Sequence, residues 1–244
     1  MPRRRYTPAV SFIVLVTLTL AACASPPPPP PLPPTPPAGW DQHYLTRDGV
    51  DSTSLRMSAA DAGRVVTGAS NIGRDSRTLF TRRTDAPSTD QEVCVRFRHS
   101  GGIAQEGVAF RVRDDNGRTR AVTVTKNIWF HANWLFNVHT WDTDRPGVFA
   151  QHAALDMSPA LGTRVQGHEA WNLCGRAIDT RVDVRVWRQG EAEPEWDHPT
   201  VRSATIPPDF TAPGRPGWYA GHVERGHWTD LSAMKVAVLD GGAS

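Results

Sequence analysis

The feature that most constrains the fold of this chain is a repeated alternation of apolar and polar residues with a period of two. Successive side chains of a β-strand point to opposite faces, so this alternation predicts strands that bury one face and leave the other in contact with water. The pattern recurs between residues 91 and 238, and helical spacing is nearly absent. The apolar positions expected to face the core are Val93, Val95, Phe97, Val108, Phe110, Val112, Val122, Val124, Trp134, Phe136, Val138, Trp171, Leu173, Val182, Val184 and Val186. The sequence therefore predicts an all-β fold, an antiparallel sandwich or barrel.

The N-terminus has the layout of an export signal. Residues 3–5 are arginines, residues 9–20 form an uncharged apolar run, and Leu-Ala-Ala-Cys follows at 20–23. Such a short run behind positive charge predicts a signal rather than a membrane-spanning helix. The last four residues resemble the lipobox of bacterial lipoproteins. That resemblance implies that residues 1–22 are a signal peptide and that the thiol of Cys23 receives a diacylglyceryl group, typically with palmitate chains. An ordinary secretory signal is the alternative, and the export route, general or twin-arginine, stays open.

The lipid and the segment after it predict a membrane-anchored arrangement. Each buried lipid methylene contributes about 0.8 kcal/mol, so two or more chains hold a protein on a bilayer. Ten of the twelve residues from 26 to 37 are proline, which favours polyproline II and a stalk of roughly 37 Å at about 3.1 Å per residue. A ligand for a proline-binding module is the alternative. We expect residues 23–39 to be a lipidated linker and residues 40–244 to be one monomeric domain on the outer face of the cell membrane.

Charge excludes one class of partner. The whole chain has 27 basic and 25 acidic residues. Three of the basic residues lie in the predicted signal, and 27 minus those three leaves 24 against 25 acidic residues. The predicted mature protein therefore has no net positive charge with which to attract nucleic acid.

The cysteines predict one disulfide. With Cys23 lipidated, Cys94 and Cys174 remain as a pair in an oxidising compartment. Both lie on the polar side of their strands, so their sulfur atoms meet if those strands are neighbours. Metal binding by the two thiols is the alternative, and neither has a histidine or carboxylate at a matching spacing.

Two late segments carry a resemblance to a known fold family. Residues 181–198 contain a strand ending in Val-Trp, a Gly-Glu-x-Glu-Pro turn and a further Trp, and residues 216–222 read Pro-Gly-Trp-Tyr-Ala-Gly-His. These motifs resemble the late hairpin and closing strands of concanavalin A-like lectin and glucanase jelly rolls, the laminin-G-like domains of secreted bacterial proteins. The resemblance implies a two-sheet antiparallel β-sandwich that binds carbohydrate or another cell-envelope ligand. This fold also carries hydrolases, lyases and spacer domains, so a purely structural surface module stays open.

The densest group of aromatic and polar residues lies between residues 126 and 144. Sugar sites combine an aromatic platform with amides and charged groups. Alternation places Asn137, His139 and Trp141 on one face, opposite the core side, where they are expected to line a groove. The predicted ligand-binding residues are Trp129, His131, Asn137, His139, Trp141, His222 and Glu224. The structural alternative makes the tryptophans core residues and the remaining side chains partners of loop backbone.

Catalysis is the second hypothesis. Glycosidases need two carboxyl groups about 5–10 Å apart, and the Glu-x-Asp-x-x-Glu strand of the jelly-roll glucanases is absent here. The nearest acidic run, residues 191–195, lies in a turn and is expected to be solvated. A carbohydrate-active hydrolase or lyase would have to use Glu224, His222 and His139, with Glu224 and His222 on one face of a late strand. In that strand Tyr219, Gly221 and Val223 are expected to face away from Ala220, His222 and Glu224.

No cofactor is expected from the sequence, with one alternative. Asp142 and Asp144 offer oxygen ligands of the kind that Ca²⁺ prefers, as do residues 114–116. Neither stretch forms a complete calcium loop.

Overall fold

Strands make up nearly all the regular structure. A computed structural model of the chain describes residues 36–45, 56–58, 64–66, 77–100, 103–128, 134–162, 170–224 and 227–239. The strands are β1 (Trp40–Tyr44), β2 (Arg56–Ser58), β3 (Arg64–Val66), β4 (Arg77–Arg82), β5 (Gln91–His99), β6 (Gln105–Asp115), β7 (Arg118–Lys126), β8 (Leu135–Asp142), β9 (Phe149–Asp156), β10 (Trp171–Ile178), β11 (Arg181–Arg188), β12 (Arg202–Thr205), β13 (Arg215–Gly221) and β14 (Trp228–Val238). One four-residue helix, α1 (Ser158–Leu161), and a 3₁₀ turn (Pro208–Phe210) complete these ranges. No helix in the described ranges is long and apolar enough to cross a bilayer.

The strands form two antiparallel sheets. Sheet A has the order β1-β4-β13-β6-β7-β8-β9, and sheet B has the order β12-β11-β10-β5-β14-β3-β2. The predicted all-β, two-sheet antiparallel sandwich is confirmed. Consecutive strands are hydrogen-bonded neighbours in the pairs β2–β3, β6–β7, β7–β8, β8–β9, β10–β11 and β11–β12. The other pairings join strands far apart in sequence.

The apolar side of the alternation fills the space between the sheets. Val93, Val95 and Phe97 of β5 are at most 2% exposed, and Val182 and Val184 of β11 are fully buried. Burying each such side chain contributes about 1.5–3 kcal/mol, which makes this layer the main source of stability. Its members are Met57, Phe80, Val93, Val95, Phe97, Ala104, Val108, Phe110, Val122, Val124, Trp134, Phe136, Val138, Leu155, Met157, Leu161, Trp171, Leu173, Ala177, Val182, Val184, Val186, Ala204, Ile206, Phe210, Trp218, Ala220, Val223 and Leu231.

The alternation breaks inside β6. Pairing of β6 with β7 shifts register between Phe110 and Arg113, and Arg111 has a φ of +53°. The bulge turns Val112 out of the main core and into a second apolar cluster on the outer face of sheet A. The core position predicted for Val112 is therefore wrong, because period-two counting does not register an extra residue in one strand.

The alternation also ends earlier than predicted in β13. Ala220 faces the core and Tyr219 faces outward, but the strand stops at Gly221 and His222 has a φ of +50°. This turn brings Val223 back into the core. The predicted shared strand face for His222 and Glu224 is thus wrong, since both residues lie beyond the last strand residue.

The predicted disulfide is present. Cys94 of β5 and Cys174 of β10 are direct cross-strand partners, with a Cα–Cα distance of 4.0 Å, and their sulfur atoms are bonded. The bond lies on the outer face of sheet B, the polar side of both strands. It joins positions 80 residues apart, which in the chain-entropy model contributes about 4 kcal/mol.

Candidate functional site

The outer face of sheet A holds the predicted groove residues of β8, but it buries them. Asn137 and His139 are each 6% exposed and Trp141 is 2% exposed. Trp141 packs in the second apolar cluster, whose buried members are Leu45, Leu79, Ala109, Val112, Ala121, Trp141 and Tyr219. The three residues share a face, as the alternation predicted. The expectation of an open groove there has to be corrected, because this outer face is itself a packed apolar layer.

Internal partners occupy polar atoms of Trp141 and Asn137. The Trp141 indole N–H donates to Thr123 Oγ1 at 2.8 Å, and Asn137 Oδ1 accepts from Asn127 Nδ2 at 3.3 Å. Burial lowers the pKa of His139 to about 4, so its ring is neutral at physiological pH. Buried groups with such partners stabilise the fold and present little to a ligand.

The candidate catalytic residues differ in their exposure. His222 is 1% exposed. Glu224 is exposed, and its carboxylate accepts a hydrogen bond from the Ile103 backbone N–H at 3.2 Å while its own N–H donates to the Ile103 carbonyl at 2.8 Å. Glu224 thereby ties two loops together. The remaining predicted residues, Trp129, His131 and the predicted lipidation site Cys23, lie outside the described residues.

Asp142 and Asp144, the carboxylates predicted as alternative Ca²⁺ ligands, lie next to arginine side chains. The Asp142 carboxylate is 3% exposed and accepts hydrogen bonds from Arg118 at 2.8 and 2.6 Å, with the Arg145 guanidinium at 3.0 Å. The bonds from Arg118 hold the pKa of Asp142 below its ordinary value. Asp144 lies 3.8 Å from the same Arg118. Guanidinium groups occupy the directions from which Ca²⁺ would coordinate, so this pair does not fit a calcium site.

A cavity of about 440 Å³ beside β1 and β4 contains a histidine between a hydroxyl and a carboxylate. His43 Nε2 lies 3.0 Å from Thr81 Oγ1, and His43 Nδ1 lies 3.6 Å from Asp114. The order is that of a nucleophile, a base and an orienting acid. Thr81 is only 1% exposed, however, so its hydroxyl is closed to the approach that a nucleophile needs.

The outer face of sheet B is built differently, as transverse rows of polar residues. Arg96 of β5, Asn172 of β10 and Trp187 of β11 are successive cross-strand partners. This Arg96–Asn172–Trp187 row is held by side-chain bonds. Arg96 Nε–H donates to Asn172 Oδ1 at 3.2 Å, and Asn172 Nδ2–H donates to the Trp187 carbonyl at 3.4 Å. Trp187 is half-buried and Asn172 is 7% exposed.

The loop between β11 and β12 covers the next two rows on this face, Cys94–Cys174–Arg185 and Glu92–Arg176–Asp183. Trp196 of this loop lies over two guanidinium groups, those of Arg185 at 4.1 Å and Arg176 at 4.5 Å from its ring centroid. Its indole N–H donates to Glu92 at 3.0 Å, and Glu193 of the same loop pairs with Arg185. The loop therefore lies across the disulfide and leaves the Arg96–Asn172–Trp187 row at its border.

Two cavities meet at Trp187. One, of about 230 Å³, is lined by Cys94, Val95, Arg96, Asn172, Trp187, Glu191, Glu193 and Lys235. The other, of about 450 Å³, is lined by Pro159, Ala160, Val186, Trp187, Glu191, Ala192, Glu193, Pro194, Glu195, His198 and Thr200. Trp187, Glu191 and Glu193 line both, and the two neighbouring cavities are here called together the Trp187 cleft. An aromatic ring, an amide and charged groups converge there.

Two of the three acidic side chains of the cleft are engaged, and the third, Glu195, is exposed. Glu193 is paired with Arg185, and Glu191 Oε2 accepts the Arg188 backbone N–H at 3.0 Å. Both turn acids are exposed, as expected, and each also has a partner within the protein. Glu92 and Glu193 also lie beside the two cysteine sulfurs. Those sulfurs are bonded to each other, so this group offers a metal only two carboxylates, both next to Arg185.

The sequence carried a signal for this cleft that the site prediction did not use. Trp187 falls on the polar side of β11, opposite Val182, Val184 and Val186. A large aromatic residue at a position expected to be polar marks an exposed apolar surface. The sequence gives no comparable indication for Arg96 and Asn172, because nothing in it shows that they are cross-strand partners.

Comparison with known proteins supports the fold. No family model matches the chain, and no curated protein is significantly similar to it. Among solved structures, the carbohydrate-binding module CBM66 from Bacillus subtilis is 11% identical, with a TM-score of 0.50, over 81% of this chain and 94% of that one. A Bacillus subtilis protein of unknown function with a galectin-like fold is 9% identical, with a TM-score of 0.50, over 81% and 88%. The chain therefore shares the β-sandwich of lectin-type folds.

Proposed function

We propose that this protein binds carbohydrate without catalysis and that the Trp187 cleft is the binding site. The observation that carries the proposal is the half-buried indole of Trp187, which lies between two cavities on a largely polar sheet face. An aromatic ring in such a position stacks on the C–H face of a sugar, and neighbouring polar groups bond its hydroxyls.

The polar groups next to Trp187 are held in place. Asn172 is bonded on one side to Arg96 and on the other to the Trp187 backbone. All three residues lie on paired strands, and the disulfide fixes two of those strands to each other. A site whose side chains are ordered before the ligand arrives loses less conformational entropy on binding.

The chemistry of the acids favours binding over turnover. Glycoside hydrolysis needs one carboxyl group as an acid and a second as a nucleophile or base. In the cleft, Glu193 is neutralised by Arg185 and Glu191 holds a backbone N–H. The shared fold of a carbohydrate-binding module lends further support to binding.

The proposal includes the cellular setting predicted from the N-terminus. A lipid on Cys23 would hold the protein on the outer face of the cell membrane, and the proline-rich segment would raise the sandwich away from the bilayer. The Trp187 cleft would then meet glycans of the cell envelope.

The test compares two tryptophans on the outer face of sheet B. Glycans that bind the full chain are first found on an array, and their affinities are then measured by calorimetry. Trp187→Ala should weaken binding by about tenfold or more, because the stacking surface is lost. Trp228→Ala is the matched control, since Trp228 is also half-buried but lies outside the cleft, with Arg98 over its ring at 5.5 Å.

Two results would contradict the proposal. One is an unchanged affinity in a folded Trp187→Ala protein for every glycan that binds. The other is release of sugar products by the wild-type chain that disappears in Glu193→Gln or in Glu224→Gln, which would favour the enzyme hypothesis.

A further inference from the structure

Two cations of the Trp187 cleft differ from most arginines on the same sheet face. Arg98 is paired with Asp230, Arg176 with Asp183, and Arg185 with Glu92 and Glu193. Within the described part of the chain, Arg96 and Lys235 have no carboxylate partner, and the side-chain bond of Arg96 goes to a neutral amide. Both residues line the smaller cavity of the cleft.

The strand pairing brings these two cations together. Arg96 is opposite Ser232, and Lys235 is opposite Cys94, two residues from Arg96 on the same strand and the same face. A register shift of β14 between Ser232 and Lys235 produces this arrangement. Diagonal neighbours on one sheet face are typically 7–8 Å apart or less, which long side chains bridge. Arg96 and Lys235 can therefore contact one group.

The bond from Arg96 to Asn172 sets the orientation of the guanidinium. Its Nε–H is used at 3.2 Å, so the plane of the group is fixed and the two terminal nitrogens are left to act as a fork. A planar fork matches the two oxygens of a carboxylate, and an ammonium beside it adds a point charge. Lys235 is exposed and supplies that ammonium.

The distance from this fork to the aromatic ring suits one substituted sugar. Arg96 and Trp187 lie two strands apart, with Asn172 between them. Two strand spacings are about 10 Å. A sugar ring placed on Trp187 thus directs a ring substituent over Asn172 toward Arg96.

We propose that the Trp187 cleft selects carboxylated sugars, with the ring stacked on Trp187 and the carboxylate bound by Arg96 and Lys235. This inference rests on the proposed function and adds the chemical class of the ligand. Of the two acids that line the smaller cavity, Glu193 is already paired with Arg185, so Arg96 and Lys235 face a single further acid, Glu191, and the local charge stays positive. Glu191, fixed to the Arg188 backbone, is left to accept sugar hydroxyls.

The experiment measures the affinity of the full chain for an oligogalacturonate and for its methyl ester, which has the same ring and no charge. The acid should bind at least about tenfold more tightly than the ester, and the difference should shrink as salt is added. Arg96→Gln and Lys235→Gln should each remove most of the difference, so that acid and ester bind with similar affinities. Arg98→Gln is the control, since Arg98 lies on the same strand and face but is paired with Asp230.

The outcomes separate the two proposals. Equal affinity for acid and ester, with loss of both in Trp187→Ala, would overturn the selectivity for carboxylates and leave carbohydrate binding intact. Binding of neither, together with no effect of Trp187→Ala on any array glycan, would overturn the proposed function itself. A sulfated oligosaccharide that binds more tightly than the carboxylated one would also overturn the inference, because a planar fork favours a carboxylate.

Discussion

The outer faces of the two sheets follow the same alternation but differ in exposure to solvent. On sheet A the outward residues are largely apolar or small, and Leu79, Ala109, Trp141 and Tyr219 are each at most 2% exposed. On sheet B the outward residues form rows of arginines, acids and amides crossed by a disulfide. One face is a second packed layer, and the other is a polar surface with a cleft at its border.

The difference shows what a period of two does and does not specify. It separates the two sides of a strand, but whether the outward side meets water depends on what those residues are and on what covers them. Aromatic residues on the outer face of sheet A contact one another, with Trp141 and Tyr219 ring centroids 6.1 Å apart. On sheet B the aromatic residues lie apart: Trp196 covers part of the face, Trp187 lines the cleft and Trp228 lies beside Arg98.

The largest expected effect tests whether the outer face of sheet A is a structural layer. Trp141→Ala should lower the free energy of unfolding by about 3–5 kcal/mol, because it empties a buried site and leaves Thr123 without its indole donor. Trp187→Ala should cost less than about 1 kcal/mol, since that ring is half-buried beside cavities. Urea unfolding of both variants measures the comparison. Equal losses would mean that the two faces do not differ in this way.

A somewhat smaller effect is expected from the covalent bond that holds sheet B. Replacing Cys94 and Cys174 together by alanine should lower the free energy of unfolding by about 2–5 kcal/mol, because the unfolded chain regains the freedom of an 80-residue loop. Unfolding in guanidinium, with and without a thiol reductant, measures this. The reductant should destabilise the wild-type protein and leave the double variant unchanged. A wild-type midpoint that does not respond to reductant would contradict the assignment.

The smallest expected effect is a dependence of stability on pH that comes from His139 on the outer face of sheet A. Burial lowers the pKa of His139 to about 4, with Arg77 and His152 adding positive charge nearby. Below pH 6.5, the ordinary pKa of histidine, His139 is protonated in the unfolded chain but stays neutral in the folded protein. The free energy of unfolding therefore decreases as the pH falls from about 6.5 to about 4. The loss from this group is at most about 3 kcal/mol. His139→Gln should flatten the stability curve in this window.

The control for the pH prediction is Trp228→Ala on the outer face of sheet B, which removes a half-buried side chain but no titratable group and should leave the shape of the curve as in the wild-type protein. Thermal unfolding between pH 4 and 7 supplies the data. A curve that stays as steep in His139→Gln as in the wild-type protein would contradict the prediction.

Much of the fold was predictable because it depends on local pattern. The inward positions of β5, β10 and β11 were identified from alternation, and the parity of Cys94 and Cys174 anticipated their disulfide. Two strands, β6 and β13, depart from the predicted alternation. Arg111 and His222 take up positive φ values, and each changes the side to which the following residues point. No apolar–polar pattern records such a backbone change. Val112 was therefore expected in the main core and Val223 on the side opposite Ala220, and both expectations were wrong.

The site was less predictable, because its members come from separate parts of the chain. Asn137, His139 and Trp141 are close in sequence and looked like a surface group, yet they lie in a packed layer. Arg96, Asn172 and Trp187 span 91 positions and meet only through strand pairing. Short-range composition therefore selected the compact group and missed the distributed one.

The sequence by itself determined that this chain forms alternating strands, which side chains of most strands turn inward and which two cysteines can pair. These properties depend on neighbours one or two residues away and on the preference of apolar groups to leave water. Only the tertiary structure decided which outward face is closed and which has a cleft. That decision depends on the order of strands within each sheet and on a loop that places Trp196 over Arg185 and Arg176, contacts that no local pattern encodes.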